Sequence, residues 1–105
     1  MARAVVMADG DEKIALVSVD VVGLFLPVVE RVREKLPGFK YVLVSATHNH
    51  EGPDTLGLWG ASPVQSGIDP DYLKKVEAGC VDAVKAADKA RKPAVAHIGA
   101  ARDAD

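Results

Sequence analysis

Two histidines one residue apart, His48 and His50, sit beside two carboxylates in the stretch Ser45-Ala46-Thr47-His48-Asn49-His50-Glu51-Gly52-Pro53-Asp54. In extended backbone, a His-x-His sends both imidazoles to one side, about 7 Å apart from the strand rise. Two such rings can share one metal ion, or one can hold the metal while the other meets a substrate. Glu51 and Asp54 offer a further ligand, a partner behind a ligand, or a proton carrier within the same turn. A lone histidine is usually an ordinary hydrogen-bonded residue, whereas a pair with two acids, Gly and Pro at the end of an apolar strand reads as a site. Catalytic zinc takes three protein ligands and keeps a position open for water. Within this chain, His48, His50 and a nearby carboxylate are the residues that could supply them.

The elements needed to position that stretch are legible in the pattern. Residues 3–8 are Val-rich and end at Asp9-Gly10-Asp11, a hairpin signal between apolar runs. Residues 13–22 are apolar on both faces, as a strand covered by helices would be. Pro27 suits a first helical turn, and Val28, Val29, Val32 and Leu36 follow at helical spacing before Pro37-Gly38 stops the helix. Residues 41–46 form another apolar, β-branched run, so strand, helix and strand predict a right-handed βαβ crossover with parallel strands. Ligands collect beyond the carboxyl ends of such strands, where His48 and His50 fall. Residues 47–68 then lose all periodicity, and long aperiodic loops of this kind are commonly functional. Asp69-Pro70 predicts an N-cap and N1 proline for a second helix running to about residue 90, with Leu73, Val76, Cys80, Val84 and Ala87 on one face. Residues 94–100 are expected to be a last strand. The expected fold class is α/β: a hairpin, a βαβ crossover and a second helix, in a partial sheet of about four strands covered by helices.

Other residues carry weaker signals. Asp20 ends the second strand and either faces the same crevice, as a partner behind the metal ligands, or serves as an ordinary strand-end acid. Trp59 either walls a pocket for an apolar substrate or anchors the long loop to the core. Cys80 lies on the apolar helix face and reads as a buried structural thiol. His97, on the expected last strand, reads as structural, and Arg31, Arg33, Lys74 and Lys75 read as solvated helix charges. With 105 residues there is room for one domain, and a formal net charge of -2 excludes a strongly basic nucleic-acid binder. The longest apolar stretch, residues 21–29, is short of the roughly 20 residues that cross a bilayer, so no transmembrane segment is expected. One cysteine allows no internal disulfide, and the phosphate-loop, dinucleotide and nucleophile-elbow motifs are missing from the sequence.

The segment Val42-Leu43-Val44-Ser45-Ala46-Thr47-His48-Asn49-His50-Glu51-Gly52-Pro53 resembles the zinc-site motif of neutral/alkaline, non-lysosomal ceramidases, a hydrophobic strand followed by Ser-Ala-Thr-His-Thr-His-Ser-Gly-Pro. Arg3-Ala4-Val5-Val6 and Ile14-Ala15-Leu16-Val17-Ser18-Val19-Asp20 are similar to the strand pair that precedes it there. The resemblance implies hydrolysis of the amide of ceramide or a related lipid amide, to fatty acid and sphingoid base, with a Zn2+ cofactor. It assigns His48 to the zinc and His50 to the active-site histidine that positions substrate, and it places Glu51 and Trp59 on the substrate side. Asn49 and Glu51 stand where many ceramidases carry Thr and Ser.

In that family the catalytic domain is several hundred residues long and its other zinc ligands lie far downstream. Residues 1–105 are therefore expected to be an internal fragment of a ceramidase-like domain, inactive as an isolated chain and open to self-association. The resemblance also implies a secreted or periplasmic setting, although the first residues show no signal-peptide pattern. Two rivals stand beside this expectation. One is another His-x-His metallohydrolase; the other is a small non-catalytic α/β module that binds metal or assembles.

Overall fold

The computed structural model describes residues 1–102. Strands β1 (Ala2–Asp9) and β2 (Glu12–Val19) form the expected hairpin, in register from Ala2 opposite Val19 to Asp9 opposite Glu12. Only Gly10 and Asp11 lie between the paired ends. Gly10 takes φ 55 while Asp11 stays at negative φ, the pattern of a hairpin turn with a left-handed first position. Helix α1 (Leu26–Glu34) carries Pro27 in its first turn, and strand β3 (Tyr41–Ala46) returns parallel to β2. The sheet order is β1-β2-β3, mixed rather than parallel throughout. Helix α2 (Pro70–Lys89) starts where the Asp-Pro signal lies: Asp69 accepts hydrogen bonds from the Asp71 and Tyr72 N–H groups.

Both helices pack on one face of the sheet. Ala15, Val17 and Val19 of β2 and Val42 of β3 meet Val32 and Leu36 on one side and Val76, Cys80, Val81 and Val84 of α2 on the other. The opposite face carries Val5, Met7, Leu16, Tyr41 and Leu43, and all five are exposed. Val5 pairs with Leu16, and Leu16 with Leu43, so one apolar row crosses all three strands in the open. The expectation of strands covered on both faces is thus corrected. Alternation in β2 is masked because its outer positions are as apolar as its inner ones.

Residues 94–100 form no strand, and His97 lies in exposed chain without regular structure, so the sheet has three strands among the described residues. The helix charges also differ from expectation. Glu77, almost fully buried, accepts from Arg31 Nε at 2.7 Å and from Lys35 Nζ at 3.2 Å, which ties α1 to α2. Arg33 donates to the Val42 carbonyl at 2.9 Å. Arg31 and Arg33 are therefore structural partners and not free surface charges. Cys80 is buried as expected, and burial raises its thiol pKa, which keeps it protonated and unreactive. No helix among the described residues is long and apolar enough to cross a membrane.

Candidate functional site

The chain beyond β3 is stitched to the chain beyond β2. Thr47 N–H donates to the Val19 carbonyl at 3.0 Å and Asn49 N–H to the Val21 carbonyl at 3.1 Å, which extends the parallel pairing past both strand ends. His48 lies between these two pinned residues and is the one non-glycine described residue at positive φ, 62°. His is among the residues enriched there, and such outliers gather at sites where the surroundings hold them. Its ring explains part of the hold. Nδ1 lies 2.8 Å from the Val22 carbonyl oxygen, and because a carbonyl only accepts, Nδ1 carries the proton. The lone pair of the neutral ring is then on Nε2.

The left-handed turn at His48 also overturns the extended geometry expected for His-x-His. The rings of His48 and His50 approach to 4.7 Å between centroids and meet edge to face at 83°. Trp59 continues the series, 5.8 Å from His50 at 73°. His50 and Trp59 face a cleft of about 440 Å³, which is also lined by Val22, Gly52, Pro53, Asp54 and Gly67. Trp59 remains 55% exposed, so it walls this cleft and does not anchor the loop to the core.

The anchors are its neighbours. Thr55 is fully buried and donates from Oγ1 to the Gly23 carbonyl at 2.6 Å. The buried carboxylate of Asp54 accepts from the N–H groups of Leu56, Gly57 and Trp59 at 2.8, 2.8 and 2.9 Å. Burial pushes the Asp54 pKa up, but these hydrogen bonds outweigh it and hold the carboxyl below its usual range.

The remaining candidates separate. Glu51 is exposed, and its own N–H donates to the Asn49 side chain at 2.8 Å. Asp20 bonds Arg3 through both carboxylate oxygens at 3.2 Å and accepts from Thr47 Oγ1 at 3.3 Å. The Arg3 guanidinium foremost lowers its pKa. Asp20 thus ties the three strand ends together next to His48, with its hydrogen bonds going to Arg3 and Thr47 and not to the imidazoles. Among the described residues no three His, Cys, Asp or Glu side chains gather as a metal cage. Sequence reasoning missed Val22, Gly23 and Gly67, which shape the site through their backbone, and Thr55, whose hydroxyl holds the Gly23 carbonyl. The spacing of Asp54 to Gly57 was the readable signal, since an Asp capturing amides two and three residues on favours a left-handed Gly, and Gly57 has φ 79. Compared with family models, curated proteins and solved structures, the chain matches none of them.

Proposed function

We propose that this chain is part of a zinc-dependent amide hydrolase resembling neutral ceramidases, with His48 as a metal ligand and His50 as the substrate-facing histidine. One observation carries the proposal. The Val22 carbonyl fixes the His48 tautomer, leaving Nε2 to bind, and a ring nitrogen donating to a backbone carbonyl is the usual support behind a metal-binding histidine. The donor set fits zinc in kind but not in number. His48 is presented as a ligand, and the remaining ligands would come from elsewhere in a larger polypeptide. When bound, zinc lowers the pKa of its water toward ~7 and polarises a carbonyl. This chain's contribution is to aim His48, to place His50 at the cleft, and to offer Trp59 as an apolar wall for the substrate.

The open apolar sheet face supports the larger-polypeptide reading, because one layer of a bigger α/β domain presents such a face to the next layer. The same face favours a second reading, a small α/β module that assembles through it. The length of the native polypeptide separates the two: a product several times larger than this chain favours the hydrolase, and a product of this length favours the module. In the longest natural polypeptide containing the sequence, His48→Ala is expected to lower both zinc content and lipid-amide hydrolysis. Wild-type values for both would overturn the assignment.

A further inference from the structure

The cleft beside His50 owes its shape to a residue that touches neither imidazole. Asp54 Oδ1 accepts the Leu56 and Gly57 amides, while Oδ2 accepts the Trp59 amide. Gly67 closes the arrangement from behind. A Cβ there would strike the Trp59 carbonyl and lie 2.7 Å from Asp54 Oδ2, so only glycine lets the chain pass this closely. The backbone of Trp59 is therefore held between a buried carboxylate and a glycine, although its ring stands in solvent beside His50. The half-exposed indole touches His50 by its edge-to-face contact, and the tethered backbone sets the Cα–Cβ direction from which it reaches that ring.

We propose that Asp54 is a positioning residue: its Oδ2 bond to the Trp59 amide, backed by Gly67, sets the indole against His50 as the wall of the substrate cleft. The relevance of that wall to catalysis rests on the hydrolase reading above, but the positioning itself does not. The two carboxylate oxygens do different work, which makes the test selective. Asp54→Asn keeps an acceptor for Leu56 and Gly57 while turning an NH2 toward the Trp59 N–H, so it removes one tether and leaves the turn.

The test uses the full chain without metal or substrate, and Trp59 is the single tryptophan and so its own probe. In Asp54→Asn the expected results are loss of the near-ultraviolet circular dichroism band of Trp59, easier quenching of its fluorescence by acrylamide, and loss of the Trp59–His50 nuclear Overhauser contact. Amide-exchange protection at Leu56 and Gly57 is retained. An unchanged Trp59 spectrum with the His50 contact intact overturns the proposal. If Asp54→Asn unfolds the chain, Gly67→Ala decides: it is expected to displace Trp59 in the same spectra, and a wild-type Trp59 signal there overturns the proposal equally. Because neither readout involves zinc or turnover, failure of the hydrolase reading leaves this result standing, and the reverse is also true.

Discussion

Among the described residues two carboxylates, Glu77 and Asp54, are buried, and they are stabilised by different means. Glu77 on α2 meets the side-chain cations Arg31 and Lys35 of the first helical segment. Asp54 is held by three backbone N–H groups of its own loop. In the first case, two elements that amphipathic spacing would form anyway are fixed in their docking. In the second, the interaction creates the local structure, because residues 47–68 have no periodic pattern to fall back on. Side-chain pairing fixes how elements meet, and backbone capture by a carboxylate builds a shape where no element exists.

The largest effect is expected from Asp54→Ala, which strips three amides of their acceptor at once. Hydrogen exchange should show protection lost at Leu56, Gly57 and Trp59 while the α2 amides stay protected. Loss spread evenly over both regions would break the distinction. Glu77→Ala should act in the other sense, lowering global stability by about 1–3 kcal/mol, the scale of hydrogen bonds to charged groups, with no local signature in the loop. Urea denaturation followed by circular dichroism measures it.

Acid should sharpen the contrast further. Burial raises the Glu77 pKa, but Arg31 and Lys35 outweigh it, so the folded-state pKa lies below the ordinary value. A lowered folded pKa contributes stability that is complete above the ordinary glutamate range and is lost as pH falls through the folded value. Glu77→Gln should therefore flatten the acid side of the stability–pH curve, and an unchanged slope would show that the Arg31–Glu77–Lys35 contact contributes nothing to folding. The smallest effect belongs to Asp71→Ala, which removes an exposed pair with Lys74 in the first turn of α2 and should change stability by no more than about 0.5 kcal/mol in the same urea assay.

The same contrast explains what was legible in the sequence. The hairpin at Gly10, the crossover from β2 to β3 and the Asp69 cap of α2 all depend on local signals: turn residues, spacing and a capping oxygen. The contact of Glu77 with Arg31 was not legible, because a polar residue one step off an apolar helix stripe looks solvated until the neighbouring helix is in place. The open outer face was missed because Leu16 and Leu43 are as apolar as the buried Val17 and Val42. At the site, the residue types of His48 and His50 were readable, but their geometry was not. The left-handed backbone of His48 depends on pairing with the chain beyond β2, a contact between segments more than twenty residues apart.

Zinc binding at His48 in the longest natural polypeptide containing the sequence, followed by nitrogen-detected imidazole resonances, tests the central claim most directly. If His48 is the ligand, its Nδ1 carries the proton before zinc is added, its Nε2 resonance moves when zinc is added, and His48→Ala abolishes the zinc response. A proton on Nε2 in the metal-free protein, or zinc binding that survives His48→Ala unchanged, would contradict the assignment.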